Sequence, residues 1–155
     1  MPKDDEDRER DVAVNRRAYH DYFIDEKYET GIVLTGPEVK SLRAGRCNLR
    51  EGFVRIDGHE AWLENVHISP YAQANLMNVE PTRPRKLLLH RRQIASLIGK
   101  VRQKGYTLIP LRVYFKRNHA KVEVGLGRGK KQYDKRAVIA ERDAKREIAR
   151  AVRRG

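Results

Sequence analysis

The chain has 155 residues, with 34 Lys/Arg against 21 Asp/Glu and a formal net charge of +13. That length suits one domain, and that charge calls for a polyanionic partner, nucleic acid before a membrane surface. A single cysteine, Cys47, excludes an internal disulfide and a Cys-rich zinc site, and no apolar stretch approaches the ~20 residues of a membrane span.

Residues 1–11 hold six acidic and three basic residues and almost nothing apolar. They are expected to be disordered, and they do not resemble a signal peptide, so a cytoplasmic protein is expected. The body, 12–126, carries twenty basic and eleven acidic residues and is cationic in its own right. The five histidines are scattered without i,i+4 pairing, which predicts no metal site and no cofactor.

Asn15–Ile24 and Tyr28–Thr35 are rich in aromatic and β-branched residues and predict two strands joined through Asp25, Glu26 and Lys27. Gly36-Pro37-Glu38 predicts the start of a short helix with Val39 and Leu42 inward and Gly45 as its left-handed stop. Phe53–Ile56 and Glu60–Leu63 predict a hairpin turning at Asp57-Gly58, and Glu64–Ser69 a further strand. Residues 71–86 read as loop, with Arg83, Arg85 and Lys86 basic. Ile94, Leu97, Ile98 and Val101 make one apolar stripe on a helix from Arg91 to Lys104, stopped by Gly105. The basic residues off that stripe suit a solvated face or an RNA contact equally.

The last hairpin alternates Leu111, Val113 and Phe115 with Arg112, Tyr114 and Lys116. After a turn at Arg117-Asn118-His119, it alternates Val122, Val124 and Leu126 with Lys121, Glu123 and Gly125. A period of two puts the six apolar residues on one face. The other face collects Arg112, Tyr114, Lys116 and Lys121, cations for phosphate and a ring for a base, although any half-exposed sheet shows such alternation. Short strands with one substantial helix and no βαβ repeat predict a mainly β fold, a small antiparallel barrel or sandwich.

Gly125-Leu-Gly-Arg-Gly-Lys-Lys131 lacks the spacing and the hydroxyl of a P-loop and is expected to be a flexible exit whose glycines let lysines approach phosphate. From Gly127 the chain holds eleven Lys/Arg and four Asp/Glu. Ala140, Ala144, Ile148 and Val152 form a narrow helical stripe there. Arg142, Arg146 and Arg150 repel at i,i+4, so this tail (127–155) is expected to be disordered when free and helical on RNA. No catalytic motif appears, and Glu29, Glu38 and Glu51 stand in separate elements, so an enzyme is not expected.

Four blocks carry a resemblance: Gly36–Gly45, Pro81–His90, Gly105–Leu111 and Gly129–Arg136. From about Asn15 to its end the chain resembles the SsrA-binding protein (small protein B) family of bacterial trans-translation. The resemblance implies a closed antiparallel barrel of the oligonucleotide-binding type with flanking helices. It implies an adaptor that binds the tRNA-like domain of transfer-messenger RNA and enters the A site of stalled ribosomes, its tail probing the decoding centre and the empty message channel. By position, the implied RNA contacts are Asn15, Glu29, Leu88, His90 and Lys121, beside Arg112 and Tyr114 from the hairpin pattern. The implied contacts with small-subunit RNA at the decoding centre are Gly129, Lys130, Lys131, Tyr133, Asp134, Lys135 and Arg136. Elongation factor Tu and alanyl-tRNA synthetase are implied as indirect partners through the charged RNA, with one monomer per RNA and no membrane. His90, Tyr133 and Ala144 stand where relatives commonly have Asn, His and an aromatic. The rival readings are a structural ribosomal protein or general RNA chaperone and, disfavoured by the absence of a carboxylate cluster, a nuclease.

Overall fold

The computed structural model describes residues 8–103 and 105–130. Within them the order is β1 (Arg10–Val14), α1 (Arg16–Asp21), β2 (Tyr22–Ile32), α2 (Gly36–Arg43), β3 (Cys47–Asn48), β4 (Phe53–Asp57), β5 (Glu60–Glu64) and β6 (His67–Ile68). A 3-10 turn (Ala72–Met77), β7 (Arg85–Leu88), α3 (Arg91–Val101), β8 (Tyr106–Lys116) and β9 (His119–Gly129) follow. Seven strands form one sheet in the order β1-β8-β9-β2-β7-β5-β4, and β3 pairs with β6. Every pairing is antiparallel. The fold is mainly β, and the elements reach past two expected boundaries. Arg10 and Asp11, assigned by composition to a disordered segment, begin β1 and pair with Phe115 and Tyr114. The tail from Lys131, with its expected conditional helix, lies outside the described residues.

The expected first strand is half helix. Asn15 caps α1: its Oδ1 accepts from the Ala18 N–H at 3.3 Å, and its Nδ2 donates to the Pro110 carbonyl at 3.0 Å. A cap that satisfies an orphan amide outweighs the weak strand preference of Tyr19 and its neighbours. Beyond it β2 is one strand through Asp25, Glu26 and Lys27, not two. The α2 helix forms where Pro37 and Glu38 predict it, with a reciprocal Thr35–Glu38 capping box and Gly45 at φ +75°. In the β4–β5 hairpin Asp57 pairs with Glu60, so Gly58 and His59 make the turn, one residue later than expected. Gly58 alone of the two has positive φ, as a type II′ turn needs. At the β8–β9 turn both Arg117 (φ +52°) and Asn118 (φ +63°) are left-handed, the type I′ pattern.

Two bulges decide which side chains face where. The register slips between Ile24 and Glu26 in β2 and between Pro110 and Arg112 in β8. An inserted residue reverses the alternation of faces. On one side of the slips Val113, Phe115, Val122 and Val124 join Leu63 and Leu87 in the main core. On the other, Ile109 and Leu111 pack with Ala18, Tyr22 and Ile24 in a second cluster under α1. The six alternating apolar residues of the last hairpin therefore do not share one face, because Leu111 belongs to the second cluster. Gly125 and Gly127 are part of that packing. A Cβ at Gly125 would stand 2.8 Å from Leu111 Cδ1, and one at Gly127 3.0 Å from Ile109 Cδ1. They are strand residues under the second cluster, and the expected flexible exit does not begin at Gly125.

Two of the loop cations are structural. Arg85, 0% exposed, donates from Nε to Glu38 Oε2 at 2.6 Å, and from its two terminal nitrogens to the Val66 and Pro81 carbonyls at 2.5 and 2.8 Å. Arg83 donates to Glu38 Oε1, which also accepts the Thr35 N–H at 2.9 Å. Burial alone would raise the Glu38 pKa, but the hydrogen bonds from Arg83, Thr35 and Arg85 outweigh it and hold the carboxyl below its ordinary range. The network ties α2 to the segment leading into β7. On α3, Ile94 and Leu97 are buried, and Lys100 reaches Glu26 of β2 at 2.6 Å. That lysine serves structure rather than a free basic face.

Candidate nucleic-acid interface

Direct pairing in an antiparallel ladder puts two side chains on the same face. Gly31 of β2 pairs with Lys121 of β9 on one side and with Leu88 of β7 on the other. A Cβ on Gly31 would lie 3.2 Å from Leu88 Cβ, so the glycine lets Leu88 lie down over the strand. Leu88 is nevertheless 53% exposed, while Leu87 beside it is buried. The row Lys121–Gly31–Leu88 thus offers a cation and an apolar side chain across three adjacent strands. An exposed leucine next to a lysine suits an unstacked base joined to its phosphate.

Beside this row is a depression of about 700 Å³, lined by Glu9, Glu29, Lys116, Arg117, His119 and Lys121. Glu29 lies two residues before Gly31 on β2, and Lys116 Nζ stands 3.3 Å from its carboxylate. Lys121 has no carboxylate within 4.0 Å among the described residues. A half-buried lysine without an acidic partner is a ready phosphate ligand. The structure therefore brings together Glu29, Leu88 and Lys121, which lie far apart in sequence. His90 is exposed two residues past Leu88, where it precedes α3 and its backbone N–H donates to Gln93 Oε1 at 3.1 Å. Arg117 and His119, expected from the sequence only as turn residues, also line the depression. His119 could have been found by its spacing, two residues from Lys121 on one strand.

Three expected contacts are corrected. Tyr114 does lie on the outer face, paired with Lys121, but it is 1% exposed. The Arg112 guanidinium covers its ring at 3.9 Å from the centroid, so no base can stack there. Burial, with the negative charge of Glu29 and a hydrogen bond to it, pushes the Tyr114 phenol pKa up. Arg112 itself is held by acids: Glu9 at 2.6 Å, Asp11 at 2.8 Å and Glu123 at 3.3 Å. Burial works against its charge, and those three carboxylates more than offset this and raise its pKa. Asn15 is buried, with its amide committed to the α1 cap and to β8, so it positions these elements rather than reaching out to a base.

Of the expected ribosome contacts, Gly129 closes the β9 ladder opposite Tyr22. Lys130 donates to the Tyr19 carbonyl at 3.0 Å, with its ammonium 5.2 Å from the Phe23 ring centre. Lys131, Tyr133, Asp134, Lys135 and Arg136 lie outside the described residues. No helix among the described residues is long and apolar enough to cross a membrane.

The family model described as SmpB protein matches residues 12–154. The SsrA-binding protein of Carboxydothermus hydrogenoformans is 61% identical over 145 residues, 94% of this chain and 97% of that one. The SsrA-binding protein of Roseiflexus sp. is 62% identical over 148 residues, 95% of this chain and 94% of that one. A solved structure described as "tmRNA-SmpB: a journey to the center of the bacterial ribosome" superposes with a TM-score of 0.65 at 54% identity, over 76% of this chain and 83% of the other. A family match over nearly the whole length, with relatives this similar, settles membership: the chain belongs to the SmpB family.

Proposed function

We propose that this protein is the adaptor that binds transfer-messenger RNA and brings it to stalled ribosomes for trans-translation. Its relatives are named for binding SsrA, and a solved relative is described by tmRNA, SmpB and the center of the bacterial ribosome. The observation that carries the reading on this chain is the row Lys121–Gly31–Leu88 with Glu29 at its side. These residues come from three strands to make one surface with a phosphate ligand and a base-sized apolar contact.

In this reading Lys121 neutralises backbone phosphate of the tRNA-like domain, Leu88 and His90 meet a base or sugar, and Glu29 accepts from a base edge. Asn15 acts at one remove, by fixing α1 against β8. The contact of β4 with β8 is the start of a closure of the sheet into a barrel of the oligonucleotide-binding type. The body extends to the end of β9, and the tail beyond it is the arm for the decoding centre, through Lys131, Tyr133, Asp134, Lys135 and Arg136. Elongation factor Tu and alanyl-tRNA synthetase join through the charged RNA, the protein works in the cytoplasm as a monomer, and it catalyses nothing itself. A structural ribosomal protein or general RNA chaperone is disfavoured by a family match that covers body and tail together.

The test separates body from tail. Removal of residues 131–155 leaves β9 whole, whereas a cut at Gly127 would remove the end of a strand. The truncated protein is expected to bind transfer-messenger RNA nearly as tightly as the full chain and to fail in tagging peptides on ribosomes stalled by truncated messages. Lys121→Ala is expected to weaken the RNA complex first. Equal loss of RNA affinity in both variants would contradict the division.

A further inference from the structure

The acidic residues at the start of the chain do not simply precede the domain. Glu9 and Asp11 place their carboxylates 2.6 and 2.8 Å from the Arg112 guanidinium, and Glu9 lines the same depression as Lys116, Arg117, His119 and Lys121. These contacts are held by backbone geometry, because Arg10 and Asp11 pair with Phe115 and Tyr114 across the β1–β8 ladder. Before Arg8 the sequence holds four further acids in a row, Asp4, Asp5, Glu6 and Asp7. The start of an edge strand thus delivers the Glu9 carboxylate to the rim of a cationic depression and the Asp11 carboxylate to Arg112. Glu123 at 3.3 Å already balances one charge of Arg112, so neither Glu9 nor Asp11 is needed to neutralise it.

We propose that Glu9 and Asp11 form an intramolecular competitor for polyanions: both occupy Arg112, Glu9 also lines the depression, and RNA must displace them to engage this face. The proposal rests on the reading of this depression as an RNA surface. Displacement costs every polyanion a similar factor. Weak, non-specific RNA then falls below useful occupancy, while a ligand with further contacts stays bound. For a protein with a net charge of +13 this limits capture by the bulk RNA of a cell.

The test measures binding of poly(U), which carries phosphates but none of the folded shape of a cognate RNA, at two salt concentrations. Glu9→Gln/Asp11→Asn, isosteric at both positions, is compared with the full wild-type chain. A control, Asp57→Asn/Glu60→Gln, removes the same charge at the β4–β5 turn on the far edge of the sheet. The expected result is about threefold to tenfold tighter poly(U) binding at low salt for the Glu9/Asp11 variant, well above the control. Its log–log salt slope is expected to steepen by ~0.7 for each cation released. Thermal melts that match the wild-type chain exclude unfolding as the source of a gain, since an unfolded cationic chain also binds poly(U). No change, a loss, or an equal gain in the control overturns the proposal. A lack of preference for transfer-messenger RNA over other RNAs would instead overturn the functional reading, and the poly(U) comparison does not depend on it.

Discussion

The Arg112 guanidinium lies 3.9 Å from the centre of the Tyr114 ring and covers it, while Lys121, paired with that tyrosine across the ladder, keeps no acidic partner among the described residues. Of two side chains on one face, one is sealed and one is available. Tyr114→Phe is therefore expected to cost about 1 kcal/mol of stability by removing the phenol's hydrogen bond to Glu29, which keeps Lys116, and to leave RNA affinity within about twofold. Chemical denaturation and an RNA titration on the same sample check this. A large loss of affinity without a loss of stability would mean that the ring meets RNA after all.

For Lys121 the expectation is the opposite. Lys121→Ala should leave the melting temperature nearly unchanged and weaken RNA binding. The log–log salt slope should become shallower by roughly 0.7 to 0.9, the loss of one phosphate contact. Titrations across a range of salt concentrations measure it. An unchanged slope would remove Lys121 from the interface.

Glu38 and Arg85 predict the acid limit of the fold. Arg85→Ala leaves a buried carboxylate with one guanidinium fewer and is expected to cost about 3–5 kcal/mol. The folded-state pKa of Glu38 is depressed, so its contribution is fully present above the unfolded carboxylate value, near ~4.3, and is lost as pH falls through the lower folded value. Thermal melts between neutral and acid pH should show stability falling with pH. Glu38→Gln should start lower and fall less.

Gly125→Ala puts a Cβ 2.8 Å from Leu111 Cδ1 and 3.1 Å from Ile24 Cγ2. In a packed cluster this is expected to cost about 1–3 kcal/mol and to reduce RNA binding only as far as folding is lost. Urea unfolding reads the cost directly. A variant as stable as wild type but weaker on RNA would return the glycine to the phosphate role that its sequence suggests.

What could be read from the sequence follows from which signals are local. The α3 stripe, the α2 start at Gly36-Pro37-Glu38 and the β4–β5 hairpin at Asp57-Gly58 depend on neighbours in the chain, and each stands within a residue of its expected place. The bulge at Ile24/Glu26 leaves no local mark, and the one at Pro110/Arg112 is marked only by a proline inside a central strand, so alternation alone puts Leu111 on the wrong face. Composition likewise makes Arg85 a loop cation, although two of its three acceptors, Glu38 and the Val66 carbonyl, come from segments far from it in sequence. The resemblance implies Glu29, Leu88 and Lys121 by position, although only Leu88 stands in a matching block, and the β9–β2–β7 register is what brings the three to one surface. Asn15 came from the same source with its role inverted, because a cap and a base contact use the same amide.

The most direct measurement of the central claim compares the affinity of the full chain for the isolated tRNA-like domain of transfer-messenger RNA with that for a mixture of tRNAs, at one salt concentration. If the row Lys121–Gly31–Leu88 recognises that RNA, the domain is expected to bind at least about tenfold more tightly, and Lys121→Ala combined with Leu88→Ala should erase most of the difference. Equal affinity of the wild-type protein for both would contradict the account.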